Sequence, residues 1–345
     1  PLLRHARIFV ARDVQLYVQL VRVLRAARVD AAQLEAIVAK VLLPGLCLIP
    51  ANAAVANELW ELVRGLPATT RYRLYGQCKN AHYDKYAELI VRRADVRKAT
   101  KRILRRLSKE NTKVQGKVIG KMSHSDPLVV FAEIVSQVEA YDNLTAPLID
   151  AFRYLSTQSG DVLSYVVLDH LSSPAKQKLR GDGSTIAAWL QSLAAFCGML
   201  WRRHSYIDVR GLLAYIHHQL KDNSSVDLLV LQELLSKMGG VDVIENVSDA
   251  QLDAHAGSAT LRAEVAAVLQ PMKPARRAVQ KLRAALVASD LLLPLWITIA
   301  HTRNRILYHS RELRNMKILA ELYDKCQETF MQYTQFLTAG GTGAT

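Results

Sequence analysis

The chain lacks the dense cysteine spacing of a secreted scaffold. Its 345 residues contain four cysteines, Cys47, Cys78, Cys197 and Cys326, with no C-x-x-C pair. Disulfide-stapled domains pack cysteines far more closely, so reduced core thiols in a cytosolic or nuclear protein are expected. It also lacks a long apolar run. The longest, residues 291–300, is interrupted by Pro294 and is half the ~20 residues a membrane span needs. A buried helix is expected there, and no membrane partner. Strand signals are sparse: strict alternation is rare and there is no Asn-Gly hairpin turn. The Val-rich run 162–171 fits a helix better than a strand.

Catalytic signatures are missing too. There is no G-x-x-x-x-G-K-[ST] phosphate loop, because Gly116-Lys117 lacks both the hydroxyl residue and the upstream glycine. There is no G-x-S-x-G elbow and no kinase signature set. The ten histidines form no metal pattern; His217 and His218 are adjacent and would diverge by about 100° on a helix. Asp182, between Gly181 and Gly183, reads as a turn rather than a catalytic carboxylate. No metal, no cofactor and no enzymatic reaction is expected.

What is present is helical periodicity. Val55, Leu59 and Leu62 follow an i, i+4, i+7 pattern; Leu89, Val96 and Ile103 recur every seven residues, with Leu107 four further on. Caps and breakers cut the chain into about fifteen helices. Pro44-Gly45 should end the helix that starts near Ala31, and Asn52 should cap the next. Pro67 marks a short connection. Ser125-Asp126-Pro127 offers a cap with proline at the first helical position. Asp142-Asn143, Ser159-Gly160 and residues 181–184 should separate further helices. Residues 222–225 form a turn and cap, Gly239-Gly240 stops the helix from Val226 to Met238, and residues 272–274 divide two more. A short helix and loop are expected over 245–260.

Half the residues are hydrophobic, ample for a core. Helices of about 12–20 residues joined by short turns imply an all-α architecture of stacked helical pairs, a solenoid without a β-sheet. No fixed-period repeat is visible, which argues against tetratricopeptide and ankyrin arrays and leaves degenerate HEAT-like repeats. Internal boundaries are expected near 50–57 and 221–225. The chain starts at Pro1 and ends in a Gly/Thr-rich stretch, and is read as the ordered piece of a longer protein.

The charge is a patch. Residues 91–121 hold twelve Lys/Arg against Asp95 and Glu110, most of a net charge of +14. From Arg93 a cation recurs every fourth residue: Arg93, Arg97, Lys101, Arg105, Lys109, Lys113, Lys117, Lys121. Each four-residue step drifts only ~40° around a helix, so the first four share one stripe opposite Val96, Ile103, Leu104 and Leu107. Such a stripe is either a solvated face or a surface for an acidic protein or RNA phosphates. Few aromatics interleave, which argues against base stacking. Trp60 and the run Arg71-Tyr72-Arg73-Leu74-Tyr75-Gly76 form a second cluster. Three aromatics in one short helical hairpin read as packing, with Tyr hydroxyls and Arg71 satisfying buried polar ends.

The run 58–67, then 71–76, 107–111, 120–127, 141–144, 189–194 and 225–229, with Leu293-Pro294 and Arg303-Asn304, resembles the THO complex subunit 2 family. The resemblance covers roughly 58–310; the flanks 1–50 and 311–345 match only in helical character. Cys78 stands where the family usually has Trp, and Asp126 where it usually has Asn. The resemblance implies the large scaffold of the nuclear THO complex, coupling transcription to mRNA packaging and export. Implied partners are other THO subunits, a DEAD-box RNA helicase of the export pathway and messenger ribonucleoprotein. It further implies residues 1–56 as the end of a preceding helical domain, 57–223 as a HEAT-type domain of the initiation-factor-four-G middle-domain kind, and 224–345 as a following helical domain.

Two readings of the surface follow, a scaffold docking helicase and sister subunits, or a solenoid binding RNA directly through 91–121. On either, the contact residues expected are Arg93, Arg97, Lys101, Arg105, Lys109, Glu110, Asn111, Lys117, Lys121, His124 and Asp126. The polar segments 109–111 and 123–126 are expected at exposed helix ends. Trp60, Arg71, Tyr72 and Tyr75 are expected to be structural.

Overall fold

The computed structural model describes residues 2–27, 29–180, 185–241, 276–309 and 316–338. The chain divides into two compact units, Pro1–Ser173 and Pro174–Thr345. Among the described residues the fold is all-α, with one isolated antiparallel bridge between Leu179 and Ile186. The expected features at 181–184, 245–260 and 272–274 lie outside the described residues.

The first unit holds α1 (Leu2–Ala6), α2 (Val14–Ala26), α3 (Ala31–Ile37), α4 (Leu43–Leu46), α5 (Ala53–Val63) and α6 (Ala68–Gln77). It continues with α7 (Ala87–Arg106), α8 (Thr112–Ser123), α9 (Pro127–Ala140), α10 (Thr145–Ala151) and α11 (Thr157–Leu171). Short polar residues start several of these. The Asp13 carboxylate accepts from the backbone N–H of Gln15 and Leu16, and the Asn52 side chain accepts from Ala54 N at 2.9 Å. Each satisfies an amide that the first turn leaves unpaired. The Val-rich run is indeed helical, as the second half of α11.

Two of the expected breaks fall elsewhere. Pro44-Gly45 does not end the helix begun at Ala31. The chain runs through a π turn, Val38–Leu42, into α4, and Pro44 lies inside the continued helix. A proline cannot donate and its ring crowds the carbonyl four residues back; the wider turn before it relieves both. Ser159-Gly160 lies within the first turn of α11, because Ser156 is the cap: its hydroxyl accepts from Ser159 N at 3.2 Å.

The core of the unit is made by α9 and α11, which pack on each other, with α7 and α8 against α9. Phe131 and Phe152 meet edge to face at 6.1 Å between centroids. Glycines set the closest approach. A Cβ on Gly116 would stand 2.8 Å from the Ala151 carbonyl, and one on Gly120 would stand 2.7 Å from that of Tyr154. α8 therefore lies backbone to backbone on the segment that ends α10.

The second unit holds α12 (Ala188–Arg203), α13 (Arg210–Lys221), α14 (Leu228–Leu234), α15 (Arg276–Ala288), α16 (Leu292–His309) and α17 (Met316–Thr338). α12 packs on α14, where Gly198 leaves room for the Glu233 carbonyl. A π turn, Leu235–Gly239, extends α14, and Gly240 ends it in the left-handed region at φ 70°, as the Gly-Gly pair implied. α16 packs on α17, with Trp296 stacked on Phe330 at 5.6 Å. The apolar run 291–300 is only half-buried in α16: Leu295 and Ile299 face inward, Leu293 and Ile297 outward. Among the described residues no single helix is long and apolar enough to cross a membrane. One bent pair, α15 with Leu292–Tyr308, passes on length and composition only, with an 87° break between its halves.

Gly120→Ala should lower stability by about 1–3 kcal/mol, because the added methyl meets backbone that cannot yield. Gly65→Ala, whose Cβ would have only the Leu62 carbonyl at 3.7 Å, should be close to neutral. Urea midpoints of the two variants check this. Equal midpoints would show that α8 can lift from its neighbour.

Candidate interaction surface

The two residue clusters marked in the sequence occupy opposite environments. The aromatic–arginine cluster is internal. Arg71 on α6 forms a bidentate pair with Asp161 on α11, Nε to Oδ2 at 2.9 Å and Nη2 to Oδ1 at 2.7 Å. Its Nη1 donates to the Leu66 carbonyl at 2.7 Å. The hydroxyl of Tyr75, fully buried, donates to Asp161 Oδ2 at 2.9 Å. The guanidinium lies 5.7 Å from the Trp60 ring centroid. Tyr72, Tyr75 and Tyr165 complete the cluster, with Tyr165 5.8 Å from Tyr72 and 5.6 Å from Tyr75 between ring centroids. Tyr75 is the core member; Trp60, Arg71 and Tyr72 are half-buried.

The basic segment is external, and it is two helices rather than one. α7 ends at Arg106, and α8 starts at Thr112. The turn between them is built by Asn111. Its side-chain oxygen accepts from Ser108 N at 2.8 Å, and its amide donates to the Arg106 carbonyl at 2.5 Å. Asn111 is thus occupied in shaping the chain, while Lys109 and Glu110 beside it are exposed.

Three of the twelve cations are engaged with acids. Arg92 Nε donates to Asp126 Oδ2 at 2.9 Å, and Arg93 pairs with Asp84 at 2.6 Å and lies over the Tyr83 ring. Lys101 reaches Glu133 at 3.5 Å. The other nine are Arg97, Lys98, Arg102, Arg105, Arg106, Lys109, Lys113, Lys117 and Lys121. All are exposed, with no carboxylate within 4 Å among the described residues. Every exposed residue between 97 and 106 is a cation. Residues 87–123 contain no aromatic. The arrangement can hold a polyanion through charge, and it offers nothing for a base to stack on.

The segment 123–126, expected at an exposed helix end, is inside. Ser123, Ser125 and Asp126 are buried, and His124 is half-buried. Ser125 donates to the Ile49 carbonyl at 2.9 Å. Pro127 takes the first helical position of α9 as expected, yet Asp126 makes no cap bond; its carboxylate turns instead to Arg92. Asp126 is therefore a support beneath α7 and not part of the contact surface. Burial pushes its carboxyl up to about 6, against the pull of Arg92. Its Oδ1 has no hydrogen-bond partner. Burial likewise pushes His124 down. The four cysteines are free and buried.

Comparison with known proteins places this geometry in a family. A family model described as the THO complex subunit 2 N-terminus matches residues 2–117, and one described as a transcription- and export-related complex subunit matches 119–194. The chain is 40% identical over 300 residues to THO complex subunit 2 of Homo sapiens, covering 87% of this chain and 19% of that protein. It is 38% identical over 304 residues to THO complex subunit 2 of Arabidopsis thaliana, covering 86% of this chain and 16% of the relative. With that of Saccharomyces cerevisiae identity is 26% over 217 residues, covering 62% and 13%. The chain belongs to the THO complex subunit 2 family. It spans about a fifth of the length of the mammalian relatives it matches. The family match includes the first fifty residues, to which the sequence motifs do not extend. The two family models meet inside α8, so their boundary is not a break in the helices of this chain.

Three features of this family member were not read from sequence. Asp161 is the partner of Arg71, ninety residues away; its signal was a lone acid leading the apolar run of α11. In the second unit Lys178 donates to Asp227 at 2.5 Å and to the Tyr215 hydroxyl at 3.1 Å. Asp227 is fully buried and its carboxyl is pushed up by that burial. The third feature is a pair of exposed valines on α8, Val114 and Val118.

Asp161→Ala leaves the Arg71 guanidinium uncompensated and should cost about 3–5 kcal/mol, whereas Tyr75→Phe removes one hydrogen bond and should cost about 1 kcal/mol. Denaturant titration of both variants checks the ratio. At Asp126 the folded state holds its proton more tightly than the unfolded chain does. The group's contribution to stability therefore falls as pH rises from about 4 to about 6, and is constant above. Asp126→Asn removes that dependence. The stability difference, variant minus wild type, should grow by about 1–3 kcal/mol across this window and then level off. Urea midpoints between pH 4 and 7.5 measure it; a flat difference would mean that Asp126 does not titrate there.

Proposed function

We propose that the chain is a scaffold segment of the nuclear THO complex, which couples transcription to mRNA packaging and export. In this reading it docks a DEAD-box RNA helicase and sister THO subunits, and catalyses nothing itself. The observation that carries it is the family match, which extends over most of the chain. The packing is compatible with a HEAT/armadillo-like solenoid: α7 rests on α9, α8 on α10, α9 on α11 and α12 on α14, neighbours one helix apart in sequence. We retain 57–223 as a domain of the initiation-factor-four-G middle-domain kind, flanked by 1–56 and 224–345. These limits follow family resemblance and differ from the compact units, whose division falls after Ser173.

A scaffold acts on a two-lobed motor through differential affinity for its arrangements, with coupling of about 1–3 kcal/mol. A second reading, direct RNA binding by 91–121, is favoured by the nine exposed cations without a carboxylate partner. Of the sequence-expected contact residues, Arg97, Arg105, Lys109, Glu110, Lys117 and Lys121 remain exposed and available. Arg93 and Lys101 are compromised by Asp84 and Glu133.

Charge reversal at Arg97, Arg102 and Arg105 together, in the complex assembled with the full-length subunit, separates these readings. No ion pair is lost among the described residues, and reversing Arg105 at the negative end of α7 costs only about 0.3–1 kcal/mol, so the melting temperature should change little. If RNA rests on α7, RNA affinity should drop about tenfold or more, and the salt slope should shrink by about one per phosphate contact removed. If the helicase rests there, stimulated ATPase should fall in step. Unchanged RNA binding with unchanged stimulation would remove α7 from both.

A further inference from the structure

We propose that the outer face of α8 docks an acidic amphipathic helix of a partner protein. The proposal rests on reading the chain as a scaffold and names the chemistry of one of its docking sites.

α8 cannot roll. Gly116, Ile119, Gly120 and Ser123 form its buried side, and both glycines press against the backbone of Ala151 and Tyr154. What faces outward is therefore fixed. At 100° per residue, Lys113, Lys117 and Lys121 fall within about 80° of one another, and Val114 and Val118 continue the arc for about 60° more. Val114 is 62% exposed and Val118 39%. The face thus carries an ammonium row on one flank and an apolar pair on the other, each repeating once per turn.

The valines decide the kind of partner. A β-branched residue is a poorer helix former than lysine, glutamate or alanine, so nothing in the stability of α8 calls for two of them in water. RNA phosphates satisfy the lysines and leave the valines wet. No aromatic accompanies them to stack a base. A helix with apolar residues one turn apart and carboxylates along one flank matches both rows at the same ~6 Å repeat. Charge complementarity points the same way, since 91–121 carries twelve cations against two acids. The second half of α7 is the contrast: its exposed side is all cationic between 97 and 106, the pattern for a polyanion.

Fluorescence anisotropy on the full chain tests this. The probe is a synthetic helix of about 16 residues with leucines at i and i+4 and glutamates along one flank. A scrambled peptide of the same composition and a uridine 15-mer serve as competitors. The designed helix should bind at least tenfold more tightly than the scramble. Val114→Ser with Val118→Ser should reduce it to the scramble's affinity while leaving RNA affinity unchanged. Lys113→Gln with Lys117→Gln and Lys121→Gln should weaken it and flatten its salt dependence. Should the serine pair lower the melting temperature, Val114→Ala with Val118→Ala keeps a strong helix former at both positions and should give the same loss. Equal binding of designed and scrambled peptides, or peptide affinity indifferent to the valines, overturns the proposal. So does an equal loss of RNA and peptide binding in the valine variants, which would make the face an RNA surface. Failure here with the α7 charge-reversal effects intact overturns this site alone; failure of both removes the scaffold reading of the whole basic segment.

Discussion

The Arg71–Asp161 pair is the constraint on which the first unit depends. It ties α6 to α11 across ninety residues of chain, and it is satisfied on nearly every side: two bonds between the charges, one to the Leu66 carbonyl, one from Tyr75. A buried ion pair is weak evidence of net stability, because desolvating both charges offsets most of their attraction. Its consequence is directional. An alternative packing of α6 that kept both groups inside would leave a guanidinium and a carboxylate unpaired, at a cost of about 3–5 kcal/mol. The tyrosine cluster and the Trp60 ring fill the remaining space and exclude solvent from the pair. Lys178 and Asp227 repeat the device in the second unit, across a span of 49 residues and with Tyr215 in the role of Tyr75.

With orientation set from within, the surface is free to be extreme. α7 buries only Leu89, Val96, Thr100, Ile103 and Leu104, and Arg92 reaches down to the ionisable Asp126 beneath it. With Arg93 and Lys101 paired to Asp84 and Glu133 as well, Arg97, Lys98, Arg102, Arg105 and Arg106 have no competing acid among the described residues. Cations in the last turn of a helix also meet its negative end, which eases their mutual repulsion at Arg105 and Arg106. α8 adds its lysines after a turn that Asn111 holds with two hydrogen bonds. The concentration of charge is thus a property of how little core these two helices contribute.

Much of this was legible. Helical period, the Asn52 cap, Pro127 at a first turn and the Gly239-Gly240 stop each depend on neighbours within one turn, and local rules see them. The Pro44 break failed for a reason of the same scale. A π turn just before a proline lets the helix continue, and nothing in the composition distinguishes that case from a stop. Asp126 failed for a different reason. Ser-Asp-Pro is a good cap locally, but Arg92, on another helix 34 residues away, competes for the carboxylate and wins. The same holds for Arg71: its chemistry announced a buried partner, and its sequence could not say which acid. Periodicity at four residues read α7 and α8 as one continuous row, because the break at 107–111 leaves the four-residue count of cations intact.

A run of twelve cations describes an affinity for anions and no more, since Coulomb attraction is indifferent to whether the anion is a phosphate or a carboxylate. Discrimination has to come from what lies beside the charge. On the far half of α7 the exposed residues are all cations, so a polyanion held there would bind with an affinity governed by salt. On α8 two valines stand in water next to three lysines, held there by glycines on the opposite side. A partner that covers them gains apolar burial of about 25 cal/mol per Å², insensitive to ionic strength, on top of its carboxylate contacts. One basic segment thereby separates into two surfaces that salt alone can tell apart: binding on α7 should fade as ionic strength rises, while binding on α8 keeps the share that the valines supply.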